Sequence, residues 1–243
     1  MTKRLEGKTA VISGGSRGLG RAMAVALADE GVEVAVVGRD LAALNETVKL
    51  AGNAKAYQAD ITKEDEVASL ASHFKRVDIL INNAGINIRK NLVDFTLDEW
   101  NQVITSNLTS VFLMSRAFVP LMTGHGYGRV INLTSMMAHV SLPARTAYSA
   151  SKAAMLGLTK ALALELAPEG ITVNGISPGP FATEMNSVLI NDAEKNAEFL
   201  RKLPVGRWGE PKEVGALAVH LCLPESGFIT GTDILIDGGW TTL

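Results

Sequence analysis

The chain reads as one α/β domain, a doubly wound parallel sheet of seven strands with helices on both faces. Three observations predict it. Short apolar runs of the kind that become buried strands recur from 8–13 (K-T-A-V-I-S) to 233–237 (D-I-L-I-D). Stretches with helical periodicity separate most of these runs, the pattern of β-α-β crossovers. No linker, internal repeat or low-complexity tract divides the 243 residues, so a single domain over 1–243 with a substantial core is expected.

The first strand flows into S-G-G-S-R-G-L-G and then R-A-M-A-V-A-L-A-D-E-G, a helical stretch closed by Gly31. Strand, glycine loop and helix form the first half of a dinucleotide-binding unit. Gly14, Gly18 and Gly20 let the turn close and the backbone approach a pyrophosphate. The helix's first turn offers that group free N–H donors and a positive dipole end. The second strand, V-E-V-A-V-V, ends at Gly38, Arg39 and Asp40. An acid after this strand would bind a ribose 2′-hydroxyl, whereas arginine suits a 2′-phosphate. Here Gly38 stands in the acid's place, Arg39 follows, and Arg17 lies in the glycine loop. NADP is therefore the preferred cofactor, with NAD possible. The alternative is that Arg39 stacks on adenine while Asp40 caps the helix 41–50.

The third strand, A-K-A-Y-Q-A, leads to Asp60 and Ile61, whose carboxylate is placed to accept from an adenine amino group. A short helix over 64–74 precedes a fourth strand over 77–81, then Asn82, Asn83, Ala84 and Gly85, a turn of small residues at a strand's carboxyl end. From 96 to 121 a long helical stretch carries Asn107. A buried helical Asn needs partners, so this one is either a satisfied core amide or part of a proton relay. The fifth strand spans 129–134, a helix 147–167 and the sixth strand 171–176. The following loop is uncharged from Ser177 to Thr183 and can close over a neutral ring. The polar-rich stretch 188–201 reads as part of a mobile substrate flap over about 182–205, before a helix over 211–221 and the last strand.

The chemistry is expected around Y-S-A-S-K. Tyr148 and Lys152 are four residues apart in a helix and so share one face. A phenol titrates near ~10 in water, and a neighbouring ammonium favours its phenolate, which lets a tyrosine act as acid and base near neutrality. Ser135 ends R-V-I-N-L-T-S, placing a hydroxyl at the carboxyl end of a strand, where open α/β sheets bind ligands.

Taken together, S-G-G-S-R-G-L-G, N-N-A-G, Asn107, Ser135, Y-S-A-S-K and S-P-G-P-F-A-T resemble the short-chain dehydrogenase/reductase family, over essentially the whole chain. The resemblance implies a Rossmann-type domain, an NAD(P)-dependent oxidoreductase acting on CH–OH groups, and a homotetramer. It implies that Tyr148 exchanges the proton with the reacting oxygen, that Ser135 hydrogen-bonds that oxygen, that Lys152 tunes Tyr148 and binds the nicotinamide ribose, and that Asn107 holds a water linking Lys152 to solvent. The implied cofactor site comprises Gly14, Ser16, Arg17, Gly18, Leu19, Gly20, Arg39, Asp60, Ile61, Asn83, Ala84, Gly85, Tyr148, Lys152, Pro178, Gly179, Phe181 and Thr183. Thr183 would hold the carboxamide, and Pro178 and Gly179 would shape the ring's pocket. Two departures are visible. Ser13 stands where the family usually has Thr, which keeps a hydroxyl, and 60–78 is shorter than expected, a trim of a helix away from the chemistry.

Further segments, among them N-N-A-G-I-N-I-R-K, D-F-T-L-D-E-W, G-R-W-G-E-P and I-D-G-G-W-T, resemble the gluconate 5-dehydrogenase and 2-deoxygluconate dehydrogenase group. That suggests a sugar acid or polyol, with Arg89 and Arg145 as candidate partners for a carboxylate, alongside Ser135 and Tyr148 at the reacting oxygen. Each arginine reads equally well as a solvated surface side chain. His139, four after Ser135, is placed to line the same pocket, although a loop histidine without further role is the plainer reading. The rival readings are a 3-oxoacyl-thioester reductase, a broad carbonyl reductase, and a cofactor-sensing protein without turnover. An acyl-carrier partner would want a basic cluster outside the pocket, and none is obvious. A sensor would not need the complete Asn107, Ser135, Tyr148, Lys152 set.

Composition narrows the partners. A net charge of −2 with 20% charged residues points to a small-molecule substrate, not to nucleic acid or an anionic membrane. The amino-terminal M-T-K-R-L-E-G-K has no apolar signal core, and the longest uncharged stretch, 100–115, contains Asn, Gln, Ser and Thr, so no membrane span is expected. The single cysteine, Cys222, excludes an internal disulfide and suits a reducing cytoplasm, as a packed thiol in an apolar run. No metal-ligand spacing is present.

Overall fold

In the computed structural model, which describes residues 3–242, the apolar runs become strands β1 (Thr9–Ser13), β2 (Glu33–Gly38), β3 (Ala54–Gln58), β4 (Ile79–Asn82), β5 (Gly128–Leu133), β6 (Ile171–Pro178) and β7 (Asp233–Ile236). Met1 and Thr2 of the amino-terminal stretch, and Leu243 of the closing W-T-T-L, lie outside the described residues. The strands form one seven-stranded sheet in the order β3-β2-β1-β4-β5-β6-β7. Every pairing in it is parallel. Such a sheet is covered on both faces, which is why its central strands are apolar without alternation. Successive residues still point to opposite faces. Ile12 and Ile81 face one apolar cluster, and Val11 and Leu80 face the other.

The first face is packed by helices α1 (Gly18–Asp29), α2 (Leu41–Ala51) and α9 (Pro211–Cys222), through Met23, Leu27, Leu44, Val214 and Leu221. The second is packed by α3 (Glu64–Ala71), α5 (Ser110–Phe118) and α6 (Thr146–Leu166), through Val67, Leu70, Met114, Phe118 and Leu166. Each fully buried Leu, Ile or Phe contributes about 1.5–3 kcal/mol by leaving water. Cys222 is buried, and the surrounding apolar atoms push its thiol up to about 12, so it packs as a small hydrophobe. No helix among the described residues is long and apolar enough to cross a membrane.

Two elements differ from the sequence reading. The short helix ends at Ala71, before Phe74, because 72–74 turn away to pack Phe74 against Tyr57 and Phe118. The long helical stretch is not one α-helix. Helix α4 (Leu97–Ile104) and α5 are joined by a π-helical segment, Thr105–Thr109, and Asn107 lies in it. Single π turns of this kind concentrate at functional sites. The stretch read as a flap forms two short helices, α7 (Ser187–Ile190) and α8 (Ala193–Leu200), and Trp208 stacks on Phe199 of α8.

Candidate active site

The strand order reverses between β1 and β4, and a cleft of about 520 Å³ opens there at the carboxyl ends of the strands. At one end lies the glycine loop. A Cβ on Gly20 would stand 2.2 Å from the Gly14 carbonyl oxygen, so only glycine closes this turn. Gly14 takes φ 66°, a left-handed backbone that glycine adopts without strain. Arg17 precedes α1 without capping it, which leaves the first-turn N–H groups without a side-chain partner and open to an anion. These features fit a dinucleotide pyrophosphate. The Ser13 hydroxyl accepts from the Asn83 and Ala84 N–H groups at 3.1 and 3.3 Å, and Asn83 donates to the Gly14 carbonyl at 3.0 Å. The hydroxyl shared by Ser and Thr is thus what ties the N-N-A-G turn to β1.

At the adenosine end, Asp40 caps α2 by accepting from the Ala43 N–H at 3.1 Å. Arg17 stands between two carboxylates, 3.5 Å from Asp40 and 3.3 Å from Glu184. Arg39 is exposed and forms no ion pair among the described residues. Asp60 turns one oxygen to the Thr62 N–H and hydroxyl at 3.0 and 2.7 Å. Its pKa lies below the usual range: burial, the largest influence, works upward but is outweighed by the Thr62 hydrogen bonds and the Arg39 and Lys63 charges.

At the other end, Ser135 caps the 3₁₀ turn Met136–Ala138, and its Oγ accepts from the Met137 N–H at 3.1 Å. That bond occupies a lone pair and leaves the hydroxyl proton free to donate into the cleft. Lys152 is buried, donates to the Leu133 carbonyl, and is lowered by burial to about 8, against an upward pull from Asp233. Its ammonium stands over the face of the Tyr148 ring, 5.8 Å from the centroid. Burial raises the Tyr148 pKa, and the Ser135 hydroxyl and then the Arg145 charge pull it back down.

Asn107 is a satisfied amide. It accepts from the Ile86 N–H at 2.7 Å and donates to the Ile86 carbonyl at 2.9 Å and the Ser151 hydroxyl at 3.0 Å. It holds the segment after N-N-A-G against α6, and Gly85 lets them close because a Cβ there would be 3.1 Å from its Oδ1.

All the residues expected to hold the cofactor line this one cleft, together with Ser135, Tyr148 and Lys152. Asn107, Arg89 and Arg145 do not line it. Burial, and then the charge of Arg89, lower the Arg145 pKa, while Tyr148 raises it, so Arg145 stands in electrostatic reach of both Arg89 and the phenol. His139 is not in the cleft either; it bonds Asp233. Unforeseen lining residues include Val37, Ala59, Ser106 and Glu184. Val37 and Ala59 end or follow strands and were findable by that position. Asn82 donates to the Asn132 amide oxygen at 2.9 Å and Asn132 to the Thr159 hydroxyl at 2.9 Å, a chain that the sequence marks only by an Asn inside each of two apolar strands. No group of His, Cys, Asp and Glu among the described residues is arranged to hold a metal.

The family model described as enoyl-(acyl carrier protein) reductase matches residues 14–241. A 3-oxoacyl-[acyl-carrier-protein] reductase of Synechocystis is 39% identical over 97% of this chain and 97% of its own. The chain belongs to the short-chain dehydrogenase/reductase family. It is therefore an oxidoreductase acting on CH–OH groups. Gluconate 5-dehydrogenase of Gluconobacter oxydans is 35% identical over 98% of this chain and 96% of its own. Among solved structures, the NADP complex of Pseudomonas aeruginosa RhlG superposes with a TM-score of 0.92 at 35% identity, covering 98% of each chain. NAD(P) use follows from the family, while reductases of acyl thioesters and sugar-acid dehydrogenases stand at similar identity.

Proposed function

We propose that this chain is an NADP-preferring dehydrogenase of sugar acids, gluconate 5-dehydrogenase-like, that interconverts a secondary alcohol and a ketone on a substrate that also carries a carboxylate. What supports the reading is Arg145, which feels the charge of Arg89 on one side and Tyr148 on the other. Neither guanidinium is paired with an acid among the described residues, so an anionic substrate reaching them would relieve their repulsion. The second reading, a 3-oxoacyl-thioester reductase, draws on the Synechocystis relative; a broad carbonyl reductase would use the same core without the arginines.

In this reading the nicotinamide supplies or accepts the hydride. The protein does the rest. Gly14, Ser16, Gly18, Leu19 and Gly20 cradle the pyrophosphate; Asp60 and Ile61 border the adenine; Asn83, Ala84 and Gly85 flank the ribose. Pro178, Gly179, Phe181 and Thr183 wall the ring, with the helices of 182–205 as the flap. Ser135 donates its free proton to the substrate oxygen and so holds it against the Tyr148 phenol. Tyr148 gives the proton as the carbonyl is reduced, or takes it as the alcohol is oxidised. The buried Lys152 ammonium binds the ribose hydroxyls and favours the anionic side of that transfer. Asn107 positions the loop and α6, and a water beside the π turn linking Lys152 to solvent completes the relay.

Two measurements test the reading. Arg89→Gln should raise KM for gluconate-like acids roughly tenfold or more, the loss of about 1.5–3 kcal/mol of charge-assisted binding, and leave neutral polyols of similar size unaffected. Arg145→Gln should also slow neutral substrates, because its charge holds the Tyr148 pKa down. Equal effects of Arg89→Gln on acids and polyols, or no turnover of 5-keto-D-gluconate by the parent, would reject a sugar acid. Gly38, Arg39 and Arg17 support NADPH over NADH by roughly tenfold or more in kcat/KM, about 1.4 kcal/mol. Arg39→Ala should lose that preference through NADPH alone, and parity of the two cofactors in the parent would refute it. Exposed Leu97 and Leu164 on α4 and α6 support assembly as a homotetramer, and the buried thiol suits a cytoplasmic site.

A further inference from the structure

Strand β7 reaches the site from behind. Asp233 opens it with a side chain only 9% exposed. One carboxylate oxygen accepts from the Thr134 hydroxyl at 2.5 Å. The other accepts from the Ser177 hydroxyl at 2.5 Å and from Nε2 of His139 at 2.6 Å. The Thr134 hydroxyl has one proton and three acceptors in range, the Ile176 carbonyl at 2.7 Å, Ser177 Oγ at 2.8 Å and Asp233, and the charged carboxylate is the strongest of them. The carboxylate in turn places the His139 proton on Nε2. Room for the group comes from Gly175, its register partner on β6, where a Cβ would stand 1.9 Å from a carboxylate oxygen.

The three donors are not scattered. Thr134 immediately precedes Ser135, and His139 immediately follows the turn Met136–Ala138 that Ser135 caps. Ser177 sits on β6 beside them. One carboxylate therefore holds the turn at both its ends and ties it to the neighbouring strands. We propose that Asp233 is a positioning residue for Ser135: by clamping Thr134 and His139 it fixes where the Ser135 hydroxyl meets the substrate oxygen. A displacement of about 1 Å at such a point can cost a reaction up to about a hundredfold. The proposal rests on the reading that Ser135 bonds the reacting oxygen.

Asp233→Asn keeps the shape but offers one acceptor oxygen where three donors converge. It should lower kcat roughly tenfold to a hundredfold while the NADPH Kd stays within about twofold. His139→Ala should fall part of the way, and His139→Gln, which restores a donor on an exposed residue, should recover most of the loss. In a Ser135→Ala background, Asp233→Asn should cost nothing further, measured as NADPH oxidation with 5-keto-D-gluconate and with ethyl acetoacetate. Additive losses in the double variant overturn the clamp, as does a crystal structure of Asp233→Asn with Ser135 Oγ within about 0.5 Å of its parent position, which decides the matter even if neither ketone is reduced. Turnover unchanged in Ser135→Ala alone would instead remove the catalytic reading of Ser135, and this proposal with it.

Discussion

Tyr148→Phe is expected to bind NADPH with unchanged affinity and to lose turnover by about a thousandfold, roughly 4 kcal/mol of transition-state stabilisation. The ring would remain under the Lys152 ammonium, 5.8 Å from its centroid, so the local packing has little reason to move. Only the proton donor disappears. Of the groups lining the reacting end of the cleft, the Ser135 hydroxyl is too weak an acid to replace it, and Lys152 is committed to the Leu133 carbonyl. NADPH fluorescence titration and steady-state kinetics on the same preparation check both halves. Residual turnover within about tenfold of the parent would mean that another group moves the proton.

The cofactor half of this cleft was legible in the sequence because backbone needs dictate it. Gly20 stands where no side chain fits, which follows from spacing along a single strand-loop-helix unit, whereas the two N–H groups that the Ser13 hydroxyl meets come from the turn after β4. The closeness of Tyr148 and Lys152 was equally legible, since they are four residues apart in one helix. The origin of the Tyr148 shift was not, because it depends on Ser135 and Arg145, whose distance from the phenol is set by tertiary packing. The same holds for Asn107. A helical Asn announces that it needs partners, but Ile86 and Ser151 come from other elements, and the π turn that presents it has no compositional mark. Asp233 was the hardest to see. It lies 94 residues from His139, at the start of a strand, and only the register of β7 against β6 brings them together. Long-range polar contacts of this kind have no periodicity to betray them.

Lys152→Met is expected to make the protein more stable and nearly inactive. The unfolded chain keeps this proton up to its ordinary value of 10.5, whereas the folded protein releases it near about 8. Between those values the unfolded state holds more protons, so stability rises with pH there. Below about 8 both states hold the proton, and the cost of burying the ammonium stands at roughly 3 kcal/mol. Methionine removes that cost and forfeits the hydrogen bond to the Leu133 carbonyl, worth about 1 kcal/mol, for a net gain of roughly 2 kcal/mol at pH 7. In a chain of this size that raises Tm by roughly 4–8 °C, and the increase in stability of the parent between pH 8 and 10 should vanish in the variant. Turnover should fall by about a hundredfold or more and the NADPH Kd should rise if, as proposed, Lys152 binds the ribose hydroxyls. The remaining alcohol oxidation should shift to higher pH, because without the ammonium the phenolate forms later. A variant that is inactive but no more stable would mean that water relieves the burial of Lys152, so that its proton is held as firmly in the folded protein as in the unfolded chain. Thermal melts of the parent across pH 6–10 in the absence of cofactor check this, since its stability would then not rise between pH 8 and 10.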